Sequence, residues 1–361
     1  MSRAFVRLLC ATLRIKGPAP PDADAWRKPP AGLAAWARYE GAAVWLVRRL
    51  RELNLLERLP DALRQDLTMQ AHAIEAKNLL ADEEAALLFA RLAAAGAPYV
   101  AIKGTARRAA AARYPYADAR ATSDVDVLLP EATARGLWDA LCREGYAPNE
   151  EALRFAPRHH LPALLGPGKV GVELHTSSSS RVAAEVAWDR IQRRAETVQW
   201  RRLAVRVPAA TDFLVGAIAH AATDRARGYR LRYFLDAAVI LASDAAVEWP
   251  ELGSRLDAGE CGDPARARAW LGAAAAFAEA PPPPEARAFP LERLLAWRLM
   301  VHDTVPNQRL RHALLAEGAR AEAGLALRTL GEEYAMLARL RRLVGAGASR
   351  GAYRIWSLGA S

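Results

Sequence analysis

Residues 103–126 bring together two kinds of chemistry. Lys103-Gly104-Thr105 is a short cationic turn with a glycine and a hydroxyl, suited to a phosphate. Arg120-Ala121-Thr122-Ser123-Asp124-Val125-Asp126 ends in two carboxylates two residues apart, within the apolar run of Val125, Val127 and Leu128. On a strand, residues i and i+2 point to the same face, so Asp124 and Asp126 converge while Val125 and Val127 face a core. Like charges at close range repel unless a cation sits between them, and Mg²⁺ is the simplest cation that takes oxygen ligands. Val170-Gly171-Val172-Glu173-Leu174-His175 repeats the alternation, with Gly171, Glu173 and His175 on one face. Taken alone, Glu173 reads as a solvated residue of an edge strand. Beside Asp124 and Asp126, a shared metal site explains it better, because a mid-strand carboxylate needs a partner.

The elements that must position these groups follow from periodicity and punctuation. Leu33–Leu53 and Ile74–Ala95 have helical spacing, and Pro29-Pro30, Pro60 and Gly96-Ala97-Pro98 break the segment. Tyr99–Ile102 reads as a buried strand running into the Lys103-Gly104 turn, residues 105–113 as a helix, and Ser123–Leu129 as a strand stopped by Pro130. Glu131–Glu144 is a helix closed by Gly145, and Val170–His175 is the third strand. Thr211 is placed to cap a helix over Asp212–Ala222. Further helices are expected over Leu231–Ser243, Ala265–Glu279, Leu291–Met300 and Glu317–Leu343, with Pro281–Pro284 as a stiff connector. The expected organisation is an N-terminal helical region (1–95), an α/β core (96–208) and a C-terminal helical domain (209–361).

Composition bounds the remaining possibilities. The chain has 361 residues, 52% hydrophobic and 25% charged, as expected of a globular protein. No apolar run approaches a membrane span, and Ala4–Cys10, interrupted by Arg7, reads as a first helix rather than a signal peptide. Three distant cysteines, Cys10, Cys142 and Cys261, give neither a disulfide framework nor metal-ligand spacing, which suits a reducing cytoplasm. A net charge of +10 is compatible with a nucleic-acid partner, but no basic run concentrates it, and a generally basic solvated surface explains it as well. Lysine is rare: there are five, at 16, 28, 77, 103 and 169, and one precedes Gly104. A compact ammonium suits a phosphate as a point charge.

The pattern Lys-Gly-Thr, a gap holding Tyr114-Pro115, Arg-x-x-Ser-Asp-x-Asp-x-Leu, then Glu-Leu-His resembles uncharacterised bacterial nucleotidyltransferases of the polymerase-β superfamily. It is similar also to the abortive-infection and toxin nucleotidyltransferases. The resemblance implies an α+β fold with a small mixed sheet flanked by helical regions. It implies a two-metal mechanism with Mg²⁺, or Mn²⁺ in its place, on Asp124, Asp126 and Glu173, and a nucleoside triphosphate as co-substrate. Gly104 and Thr105 stand where the superfamily has its Gly-Ser turn. Lys103, Arg120 and Ser123 join them as nucleotide-binding residues, and Arg107 and Arg108 are expected on a solvated helix face. The sequence departs from the superfamily in a long gap between Gly104 and Asp124, in Thr105 for Ser or Gly, and in Glu173 for Asp. The expected reaction is nucleotidyl transfer to an acceptor that is a small molecule, a peptide, a protein or an RNA. A toxin-like enzyme acting on tRNA and a non-catalytic nucleotide-binding scaffold are the competing readings. His175 is expected to hydrogen-bond a carboxylate, His159-His160 to form a loop or edge-strand pair, and His220 and Asp236 to face the cleft or to serve the core.

Overall fold

The computed structural model describes residues 3–15, 23–30, 32–149, 159–179, 181–223 and 231–286. Contacts gather Arg7–Phe289 into one compact unit, which carries the elements discussed below from Arg7 onward. The expected helices over Leu291–Met300 and Glu317–Leu343 lie outside the described residues.

Helix α1 covers Arg3–Leu13, so the first helix expected at Ala4–Cys10 is found. The stretch read as one helix over Leu33–Leu53 is two, α2 (Leu33–Glu40) and α3 (Ala43–Glu52). Gly41 is the reason. It adopts φ +66°, and the amides of Gly41 and Ala42 donate back to the carbonyls of Arg38 and Ala37, closing α2 with a left-handed cap. Helix α4 runs from Asp61 to Ala94, beginning well before Ile74, because nothing between Pro60 and Gly96 breaks it.

The sheet follows. Strand β1 is Val100–Ala101, β2 is Asp124–Leu128, β3 is Ala147–Pro148, β4 is Leu164–Leu165 and β5 is Gly171–His175. Their order is β1-β2-β5-β4-β3. β2 and β5 are parallel, and the other pairs are antiparallel. The helix after the Lys-Gly turn, α5 (Lys103–Ala109), starts earlier and stops sooner than the expected 105–113. Pro115 disfavours helical backbone at Tyr114, and Tyr116 then turns the chain at φ +56°. Helix α6 (Glu131–Arg143) closes on Gly145 at φ +90°, in agreement with the sequence.

Besides β3 and β4, the elements that left no readable signal include α7 (Ala184–Arg194) and the hairpin of β6 (Glu196–Trp200) with β7 (Leu203–Val207). Helix α8 covers Ala210–Thr223, so Thr211 lies inside it and does not cap it. The Thr211 hydroxyl instead accepts the Glu248 amide at 2.9 Å. Helices α9 (Leu231–Leu241), α10 (Trp249–Asp257) and α11 (Pro264–Ala278) complete the described chain. Among the described residues no helix is long and apolar enough to cross a membrane.

The two faces of the central strands differ in character. Val125, Val127, Val172 and Leu174 are at most 1% exposed and form the apolar underside. The opposite face carries Asp124, Asp126, Glu173 and His175, then becomes apolar at Leu128, which packs with Val100, Ile102 and Ile191 of α7.

Candidate active site

The parallel register of β2 and β5 sets Asp126 beside Glu173 and Asp124 beside Gly171. Paired residues of neighbouring strands share a face, so three carboxylates meet on one patch of sheet. Gly171 leaves space there: a β-carbon on it would stand 3.6 Å from that of Asp124. Ligand atoms of Asp126, Glu173 and His175 lie within 4.8 Å of one another, close enough to hold one cation. Burial, then the charges of Asp126 and Glu173, push the Asp124 carboxyl up to about 6. Burial is the larger cause, and the two neighbouring carboxylates add to it.

Lys103 is the cation the chain itself supplies. Its Nζ donates to Asp126 Oδ1 at 2.7 Å and to Glu173 Oε2 at 3.1 Å. Burial alone would lower the ammonium pKa, but the carboxylates of Asp126 and Glu173 more than reverse this and hold it charged. Burial would likewise raise Glu173, and Lys103 and His175 outweigh it, keeping that carboxylate ionised. Lys103 begins α5 at φ +50°, a left-handed conformation that is strained for a residue with a side chain.

His175 is fully buried, and its Nε2 lies 2.9 Å from Asp126 Oδ1 and 3.2 Å from Glu173 Oε2. Nδ1 is buried without a hydrogen-bond partner among the described residues. A metal-bound imidazole normally donates its second N–H to an acceptor, and none is present among the described residues. The geometry therefore favours an Nε2–H that donates to the two carboxylates, as expected from the sequence, over a metal ligand. His159 and His160 lie beside the end of β5, where His160 forms an antiparallel bridge with His175, and their ring centroids are 5.6 and 5.0 Å from that of His175. Burial, then the neighbouring imidazoles, hold His159 down to about 3 and lower His160 as well.

The remaining motif residues sit around this patch in different ways. The Thr105 hydroxyl accepts the Asp126 amide at 2.8 Å, so it braces β2 behind the carboxylate. Gly104 is buried in α5, where a β-carbon would stand 2.9 Å from Thr122 Oγ1 and 3.1 Å from Arg120 Nη1. A glycine is needed there for close packing against the motif. Ser123 is exposed just before β2. Arg120 pairs with Asp236 of α9 at 3.3 Å and donates to the Ala121 carbonyl at 2.5 Å. Burial lowers and the charges of Asp236 and Asp124 raise its pKa, with a net rise.

The expected solvated face of α5 is not found. Arg107 is 4% exposed and ion-paired to Asp236, and it donates to the Asp236 carbonyl at 2.9 Å. Arg108 is paired with Asp82 of α4. The apolar stripe that would have predicted burial is absent in so short an Ala/Arg helix, and both acidic partners come from distant segments. Asp236 thus serves the core, linking Arg107 to Arg120. His220 stacks at a tilt on Tyr233, with ring centroids 4.6 Å apart.

One positioning residue was not foreseen. Asn78 of α4 is 2% exposed. Its Nδ2 donates to the Arg120 carbonyl at 3.0 Å, and its Oδ1 accepts the Thr122 amide at 2.8 Å. It thereby fixes the loop that delivers Asp124 to the sheet.

A family model described as "Uncharacterised nucleotidyltransferase" matches residues 28–275, more than half of the chain, and the chain belongs to that family. The match contains the whole carboxylate patch and supports nucleotidyl transfer with a nucleotide substrate. A search of curated proteins gave no match.

Proposed function

We propose that the chain transfers a nucleoside monophosphate from a nucleoside triphosphate to an acceptor oxygen, with Mg²⁺, or Mn²⁺ in its place, held by Asp124, Asp126 and Glu173. The observation that carries this reading is the β2–β5 register, which sets a third carboxylate beside the Asp-x-Asp pair in a chain of this family. The oxygen donors and the raised Asp124 carboxyl fit a hard divalent cation. When bound, the metal supplies positive charge to the carboxylates and to the phosphate oxygens.

In the reaction the acceptor oxygen forms a bond to the α-phosphorus, the bond from that phosphorus to the bridging oxygen of the β-phosphate breaks, and pyrophosphate leaves. The acceptor's proton passes to Glu173 or to water. Asp124 and Asp126 are held rigidly for this work: Thr105 braces the Asp126 amide and Asn78 pins the preceding loop. His175 orients the Asp126 and Glu173 carboxylates by hydrogen bonds. Lys103, Arg120 and Ser123 supply charge and a hydroxyl for the triphosphate, and Gly104 keeps the turn beside it free of side chain.

The test is incubation with α-labelled nucleoside triphosphates, Mg²⁺ and a cell extract as the source of acceptors. Label transfer with pyrophosphate release is expected, and it should vanish in Asp124→Asn and Asp126→Asn proteins that remain folded. Activity retained in both variants would remove the carboxylates from the reaction. Nucleotide binding without turnover would favour a scaffold, and label confined to tRNA would identify the acceptor as tRNA.

A further inference from the structure

The most unusual feature of the site is that one side chain already does what a metal would do. The Lys103 ammonium bridges Asp126 Oδ1 and Glu173 Oε2, two oxygens of the proposed metal set. A divalent cation drawn to those oxygens meets a positive charge in the same place, and repulsion between the two is large in a site sheltered from water. Both cannot remain.

Three further observations show that Lys103 is built to yield. Its side chain is 22% exposed, against 2% for Asp126, so the stem reaches the patch from the open side and has a way out. Its backbone is held at φ +50° at the first position of α5, a left-handed strain that a merely structural pair would not require. It is also a lysine, where other buried ion pairs among the described residues, such as Arg107–Asp236 and Arg255–Glu260, use arginine. A guanidinium fork locks a carboxylate in place, whereas an ammonium on a flexible four-carbon stem is a movable point charge.

We propose that Lys103 is an exchangeable counter-cation: it closes the carboxylate patch when metal is absent, is displaced when a divalent cation enters, and then binds a phosphate of the incoming triphosphate. Metal and triphosphate are thereby coupled, each favouring the other, because both stabilise the state in which Lys103 has left Asp126 and Glu173. The sequence reading of Lys103 as a phosphate ligand and its observed place on the carboxylates become two positions of one side chain. This inference rests on the proposed metal site.

The coupling is measured with the full chain and metal alone. Binding of Mn²⁺ without nucleotide, followed by the loss of the free-ion EPR signal, is expected to be about tenfold tighter in Lys103→Met than in the unmodified protein, because the competing charge is gone. Equal or weaker binding in Lys103→Met, with the fold confirmed by circular dichroism, would overturn the exchange. Failure of both proteins to bind Mn²⁺ would instead overturn the metal site, and the exchange with it.

A second measurement needs no variant. With five lysines in the chain, acetic anhydride labelling read by peptide mass spectrometry resolves each one. Labelling of Lys103 should rise several-fold on adding Mn²⁺ and fall again on adding inorganic tripolyphosphate, while Lys77 and Lys169 stay unchanged. Labelling of Lys103 indifferent to Mn²⁺ overturns displacement, and labelling that stays high with tripolyphosphate overturns the transfer to phosphate.

Discussion

Two buried charge clusters in this protein are built on opposite plans. Near α8, Asp212 accepts Arg255 at 2.5 Å and Arg194 at 2.9 Å, while Glu260 is gripped by Arg255 through Nε and Nη2 and by Arg190 at 2.7 Å. Those arginines come from α7 and α10, so the cluster staples three helices, and each carboxylate is met by two guanidinium groups. On the sheet, Asp124, Asp126 and Glu173 face one ammonium, and the Arg120 guanidinium, whose charge acts on Asp124, is already paired with Asp236. A buried carboxylate that is fully partnered holds a fold together. A set left short of cation keeps binding capacity in reserve, and its cost appears as the raised Asp124 carboxyl.

The sharpest way to separate the two is to remove one carboxylate from the sheet cluster. Asp126→Asn keeps size and hydrogen-bonding shape but deletes the charge shared by Lys103 and His175. Nucleotidyl transfer should fall by at least ~10³-fold, the loss expected when a metal's transition-state charge is misplaced. Thermal unfolding should change little. A variant with more than a tenth of the activity would mean that the sheet cluster is structural after all.

The reverse holds for the helical cluster. Arg255 is 4% exposed and ties Asp212 to Glu260. Arg255→Leu should cost about 3–5 kcal/mol in urea unfolding, because it leaves buried carboxylates with unsatisfied charge. Transfer activity per folded molecule should stay as it was. An unchanged urea midpoint would break the comparison from the other side.

Asn78 lies between these extremes, a neutral side chain that binds the two systems of the site together. Asn78→Ala should cost about 2 kcal/mol, since the Arg120 carbonyl and the Thr122 amide lose their buried partner. It should also lower kcat, through a looser approach to β2, with KM for the triphosphate less affected. A stability loss with unchanged kcat would show that the loop holds its shape without α4.

What was legible in the sequence follows the same division. The carboxylates were readable because strand periodicity is local: Asp124 and Asp126 declare their shared face within three residues, and Glu173 does so within its own strand. Gly145 and the limits of α6 were readable for the same reason. Asn78 and Asp212 were not, because their partners lie 42 and 43 residues away and no local pattern marks them, and Asp236 had a core role among its readings but not its arginine partner, 129 residues away. Arg107 and Arg108 were misplaced on a solvated face for want of those distant acids. Thr105 was read as a phosphate contact from its motif position, and only the packing of α5 on β2 shows its hydroxyl on the Asp126 amide.

The smallest expected effect tests the reserve itself. Asp124 has an ordinary pKa of 3.8 and is raised to about 6, first by burial and then by Asp126 and Glu173. Between these values the folded protein binds more protons than the unfolded one, so stability falls as pH rises. The contribution is complete below pH about 4 and is lost through pH 6. Asn in this position carries no charge at any pH. Metal-free Asp124→Asn should therefore be more stable than the unmodified protein at pH 7, by about 1–2 kcal/mol once partial exposure is allowed for, and the gap should close as pH falls to 4. Adding Mg²⁺ at pH 7 should reverse the order, because the cation relieves the repulsion in the native site and finds a weaker one in the variant. Melting curves recorded from pH 4 to 8 that run parallel, with and without Mg²⁺, would show that Asp124 already has its partner and that the sheet cluster is as self-contained as the helical one.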